Sequence, residues 1–198
     1  MDKTDFDEVI ELPFEQEMIE YGIIRGNNTV FLTKAGANGS MRGYKDKYLK
    51  IGMNLYQKYG FTIVCSSNPF AYEESIGQAI EVIEKYVNAS QIYYLGHSNG
   101  AVMGARCAWK YPQIKRLVLV NGPLMINWHQ TKAGISKFQG EKMAFVYGSE
   151  DFSTKFVELF DLVKNPSKSV HVITGADHHF VGMLDEFIDL PEQYLLSN

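Results

Sequence analysis

The 198-residue chain is 45% hydrophobic, holds two cysteines and carries a formal net charge of −4. That length suits one domain over residues 1–198, able to bury about 70% of its unfolded surface without disulfides or metals. The acidic balance excludes a basic nucleic-acid face and a polybasic membrane patch. No apolar run reaches the length of a membrane span, and the acidic start Met1–Glu8 lacks the apolar run of a signal peptide, so a cytoplasmic location is expected.

In chain order, Thr29–Leu32 reads as a strand and is followed by the glycine-rich loop Lys34–Ser40; the stretch from Tyr44 to Tyr59 reads as a helix. Phe61–Cys65 is a second apolar strand, ended by the breaker sequence Ser66-Ser67-Asn68-Pro69. Ile76, Ile80, Ile83 and Val87 recur at spacings of three and four, the mark of a helix with one buried face. The strand Ile92–Leu95 runs through Gly96-His97-Ser98-Asn99-Gly100 into the helical stretch Ala101–Arg106. Leu117–Val120 is the next strand, stopped by Asn121-Gly122-Pro123, and about twenty residues then lead to the strand Met143–Tyr147, room for a loop or a short helix. A helix through Phe156–Phe160, the strand Ser169–Ile173, the loop Thr174–Phe180 and a last helix towards Leu196 complete the chain. Strands alternating with helices predict an α/β fold: a doubly wound, mostly parallel sheet with helices on both faces.

Three of these junctions carry chemistry. Gly96-His97-Ser98-Asn99-Gly100 has the G-x-S-x-G pattern of a nucleophile elbow, with a strand directly before it and a helix directly after. Such a turn strains the serine backbone and leaves no room for side chains two positions to either side. A serine hydroxyl needs a base, and the base needs a carboxylate to orient it. Asp151, in the turn Gly148-Ser149-Glu150-Asp151 past the carboxyl end of a strand, is the acid candidate; Glu150 is its neighbour and rival, and a helix N-cap is the plainer role for Asp151. The loop Gly175-Ala176-Asp177-His178-His179-Phe180 supplies two adjacent histidines. No third and fourth ligand at a recognisable spacing accompanies them, so no metal is expected.

These three segments, in this order and each after a strand, resemble the elbow, acid turn and histidine loop of the α/β-hydrolase superfamily. The resemblance is to its small, lidless serine hydrolases and runs from the strand near Val30 to the final helix. It implies a catalytic Ser98, Asp151 and His178, the base falling on His178 and His179 flanking it. It also implies an oxyanion hole made by the backbone N–H groups of Ala37 and Asn99. The family's loop usually begins His-Gly; here Ala35 stands in place of the histidine, and Asn38 is the alternative to Ala37.

The expected activity is hydrolysis of a carboxylic ester or thioester of a small acyl substrate through an acyl-enzyme, with no cofactor. The alternatives are acyl transfer by the same triad, or a catalytically silent relative that binds a ligand or partner in the same crevice. Oligomeric state is open, a dimer included. Phe70, Leu124, Met125, Ile126 and Trp128 on rim loops are candidates to line an acyl pocket, or simply to cover the core. Among the remaining histidines, His97 is expected to pack beside the sheet or bond a backbone group, His171 to be structural, and His129 to sit on the rim. Cys65 and Cys107 are expected as buried, unpaired apolar residues.

Overall fold

The computed structural model describes residues 4–69 and 75–197. Among the described residues, eight strands form one sheet in the order β1-β2-β4-β3-β5-β6-β7-β8. They are β1 (Glu8–Phe14), β2 (Glu17–Ile24), β3 (Thr29–Lys34), β4 (Thr62–Ser66), β5 (Gln91–His97), β6 (Ile114–Val120), β7 (Lys142–Gly148) and β8 (Lys168–Ile173). From β4 to β8 every pairing is parallel, while β1 and β2 form an antiparallel hairpin whose second strand also runs antiparallel to β4. The doubly wound, mostly parallel sheet expected from the alternation of elements is therefore present.

The hairpin was not expected. Glu8–Phe14 alternates between half-buried and exposed positions and contains Pro13, which an edge strand tolerates because its N–H is not needed by a further neighbour. Val9, Glu11 and Pro13 occupy the outward half of that alternation, and Glu8, Ile10, Leu12 and Phe14 the half-buried one.

Helices α1 (Lys47–Tyr59) and α5 (Leu184–Pro191) cover one face of the sheet, and α2 (Ser75–Tyr86), α3 (Asn99–Cys107) and α4 (Trp128–Lys137) the other. The strands read as continuous apolar runs because both faces are buried. In β3, Val30 and Leu32 pack on the α2/α3 side while Phe31 packs on the α1/α5 side. The segment 121–140 forms α4 and its flanking loops and no cap domain. The stretch expected as a helix through Phe156–Phe160 is a 3₁₀ segment over Phe152–Leu162, and the carboxyl-terminal stretch ends in a π-helical turn at Glu192–Leu196. Cys65 and Cys107 are buried and not joined by a disulfide, and burial pushes the Cys65 thiol up to about 12. Among the described residues no helix is long and apolar enough to cross a membrane.

Candidate active site

The carboxyl ends of β3, β5, β6 and β7 point to one rim, and the three sequence segments meet there. Ser98 stands between β5 and α3 with φ 54° and ψ −116°, a conformation that costs a non-glycine residue about 1–3 kcal/mol and is held only by its surroundings. Those surroundings are visible. The Ser98 N–H donates to the Val120 carbonyl at 2.8 Å, and the Ser98 carbonyl accepts from Ala101 and Val102 as the first turn of α3. A Cβ on Gly96 would run into the backbone of Gly100, and one on Gly100 into the carbonyl oxygens of Lys34 and Ala35. Both glycines are thus required by close backbone approach, as the elbow pattern demands.

The Ser98 hydroxyl lies 3.0 Å from Nε2 of His178, and Nδ1 of the same ring donates to Oδ2 of Asp151. Because a carboxylate only accepts, the Nδ1 proton is assigned to the ring, which leaves Nε2 free to accept from the serine. Asp151 is buried, and its second oxygen accepts the Ser153 N–H at 2.7 Å, capping the 3₁₀ segment. Burial raises its pKa, but the His178 and Ser153 hydrogen bonds outweigh this and hold the carboxyl below its usual range. The N-cap role and the pairing with histidine are filled by different oxygens of one side chain. Glu150, beside it, is exposed.

The histidine loop is held from beneath by Asn121, which the sequence did not single out, and by His97, which was expected to pack beside the sheet or bond a backbone group. Asn121, fully buried at the end of β6, donates from Nδ2 to the carbonyls of Asp177 and His178, both at 3.0 Å, and accepts the Gly148 N–H at 2.8 Å. It therefore ties the acid turn to the histidine loop. His97 also bonds the His178 carbonyl, at 2.8 Å, which makes its Nε2 the protonated nitrogen. Burial, helped by the nearby Lys47 charge, keeps His97 well below its ordinary pKa and neutral. His97, His178 and His179 bring three ring nitrogens within 4.8 Å of one another, but the His178 ring is engaged by Ser98 and Asp151 and the His97 ring by a carbonyl.

In the loop after β3, the Gly39 N–H closes a turn on the Gly36 carbonyl at 3.0 Å with Asn38 at φ 58°. Asn68 holds this loop against the elbow through bonds from its side-chain amide to the Ala35 carbonyl and the Asn99 side chain. Among the described residues no acceptor takes the backbone N–H of Ala37, Asn38 or Asn99. Gly36 packs against Ser98 closely enough that a Cβ there would lie 3.1 Å from Cβ of Ser98.

A cavity of about 410 Å³ opens over Ser98 and His178, lined also by Ala37, Asn38, Tyr44 and Lys47. It lies on the α1 side. Leu124, Met125, Ile126 and Trp128 are not among its lining residues: Leu124 is buried in the core, Trp128 packs against it, and Ile126 is 62% exposed. Phe70 lies outside the described residues. His129 stands exposed on α4, and His171, on β8, stacks near Tyr194.

By sequence the chain matches no protein-family profile and no curated protein. Solved structures do resemble it. Est1E from Butyrivibrio proteoclasticus superposes with a TM-score of 0.77 at 13% identity, over 95% of this chain and 97% of that one. A dienelactone hydrolase from Anabaena variabilis gives 0.73 at 13% identity over 99% and 98%. An alpha-beta serine hydrolase homologue from Coxiella burnetii gives 0.69 at 18% identity over 95% and 97%. The chain has the α/β-hydrolase fold.

Proposed function

We propose that this protein is a serine hydrolase that cleaves a carboxylic ester or thioester through an acyl-enzyme on Ser98. The observation that carries the reading is the relay in which the Ser98 hydroxyl donates to Nε2 of His178 at 3.0 Å while Nδ1 donates to Asp151. The fold neighbours support it as well, since they include a protein named as an esterase domain, a thioesterase domain and a dienelactone hydrolase.

In this reading Oγ of Ser98 attacks the acyl carbon as its proton passes to Nε2 of His178, and Asp151 stabilises the imidazolium that results. The carbonyl oxygen becomes an oxyanion held by the free N–H groups of Ala37 and Asn99, the latter at the amino end of α3. Collapse expels the alcohol or thiol, which takes the proton from His178. Water, deprotonated by the same nitrogen, then attacks the acyl-enzyme and releases the acid and Ser98. The protein's own groups supply each proton transfer, so the reading requires no cofactor. A cytoplasmic setting is part of the proposal, supported by two buried cysteines that are not joined by a disulfide.

The test is intact-mass measurement of the protein and of Ser98→Ala after treatment with a fluorophosphonate. One adduct on the parent and none on the variant is expected; an unlabelled, folded parent overturns the reading and favours a silent binding protein.

A further inference from the structure

Lys47 opens α1 and is only 2% exposed, yet among the described residues no carboxylate or hydrogen-bond acceptor pairs with its Nζ. The ammonium rests 4.0 Å from the ring centre of Phe187 and 5.3 Å from that of Tyr48. Aromatic faces attract a cation but supply no counter-charge. Nζ is not sealed in the core either, because Lys47 lines the cavity over Ser98 and its nitrogen is not among the fully buried unsatisfied atoms.

Local preference argues against this placement. A lysine ordinarily extends its charge into water, and a cation in the first turn of a helix sits at the positive end of the helix dipole. Both effects make the mouth of the cavity more positive, and no aspartate or glutamate lines it. The other titratable groups lining it are Tyr44, Tyr48, His97, His178 and His179. Burial pushes the Lys47 pKa down to about 8, opposed by the more distant Asp177, so the group is charged at neutral pH.

We propose that Lys47 is the specificity-determining residue of this cavity and pairs with a carboxylate carried by the substrate whose ester or thioester carbonyl is presented to Ser98. The proposal rests on the hydrolase reading. An unpaired, largely desolvated charge is unfavourable, and an entering carboxylate supplies the missing partner where water is scarce. A neutral substrate leaves the ammonium as it was. A site built to pair with one group discriminates against analogues lacking it, and with a cavity open to solvent about 10- to 100-fold is expected.

Two measurements test this. In the first, calorimetry on Ser98→Ala compares adipate monoanilide with its methyl ester, so that binding is read without turnover. The anion is expected to bind at least tenfold more tightly, the difference vanishing in Ser98→Ala/Lys47→Met and persisting in Ser98→Ala/Lys47→Arg. In the second, kcat/KM is compared for the 4-nitrophenyl monoester of adipate and its methyl-capped form, charge on the acyl side. The butyrate ester of 3-hydroxybenzoate and its methyl-capped form place the charge on the leaving group instead. A charged-to-capped ratio of ten or more in one of these pairs, falling towards one in Lys47→Met, supports the proposal and says which side of the ester carries the charge. Equal binding of both anilides together with charged-to-capped ratios near one in both ester pairs, or a preference untouched by Lys47→Met, overturns it. A parent that turns over no ester sinks the hydrolase reading, and the calorimetric comparison still decides whether Lys47 binds the anion.

Discussion

Asp151 faces His178 with one carboxylate oxygen and caps the segment beginning at Phe152 with the other. The two functions are separable by substitution. Asp151→Asn keeps a cap-competent oxygen and is expected to lose about 10³- to 10⁴-fold in kcat on a model ester, with little change in stability, because an amide no longer favours the productive tautomer. Asp151→Ala is expected to lose the same activity and, in addition, about 1 kcal/mol of stability by thermal unfolding. Glu150→Gln is expected to match the parent in both; loss of activity there, with Asp151→Asn active, would move the acid by one position.

His178 and His179 are neighbours with different surroundings. Only the His178 ring reaches both Ser98 and Asp151, whereas the exposed His179 ring stands 4.9 Å from it, centre to centre, at 82°. His178→Ala is expected to reduce ester turnover by about 10⁴-fold or more, and His179→Ala by less than about tenfold. Fluorophosphonate labelling rates should fall in the same order, and the reverse order would place the base at residue 179.

Asn121 carries the acid turn and the histidine loop on one side chain, at φ 48°. Asn121→Gly accepts that backbone conformation and so tests the loss of the three side-chain hydrogen bonds, one of them buried and two part-buried. The expected result is about 2–3 kcal/mol of lost stability by denaturant unfolding, together with about tenfold lower kcat and a smaller change in KM. An unchanged kcat would mean that the His178 carbonyl is held well enough by His97.

Lys34 ends β3 inside the protein, donating from Nζ to the Ser66 hydroxyl at 2.9 Å and the Ser67 carbonyl at 2.8 Å. Burial lowers its pKa to about 7, against 10.5 for a solvated lysine. Between those values the unfolded chain binds a proton that the folded chain has released. Stability attributable to this residue therefore rises with pH across that window, by up to about 1.4 kcal/mol per unit, and is constant below about pH 7, where both states are protonated. Lys34→Met is expected to be at least as stable as the parent at pH 7, and its advantage should shrink by about 3 kcal/mol by pH 9.5. Denaturant unfolding at the two pH values reads the difference, and parallel curves for the two proteins would contradict it.

How much of this was legible beforehand follows from the range of the interactions involved. The parallel strands, the glycines of the elbow and the order serine, acid, histidine were readable because each depends on neighbours within a few residues: apolar runs, a turn that tolerates no side chain, a polar residue just past a strand. The β1–β2 hairpin escaped because its half-exposed alternation, laden with glutamate and broken by Pro13, resembles a solvated terminus until β2 finds β4. Lys47 sits with Ile51 and Leu55 on the buried stripe of α1, a four-residue spacing that was available as a signal. Helical lysines nonetheless default to water, and nothing local says that Phe187 waits across the sheet face.

By itself, then, the sequence determined the layered α/β architecture and named the residue types at the rim, since hydrophobic periodicity and turn stereochemistry are local properties of the chain. Only the tertiary structure decided that Ser98 and His178, 80 positions apart, come within hydrogen-bonding distance, and that Asn121 holds their loop. It also decided that the cavity opens beside Lys47 and not beside Trp128. These are matters of which loops the sheet order brings to one rim and which helix borders them, and that order is set by the packing of the whole core.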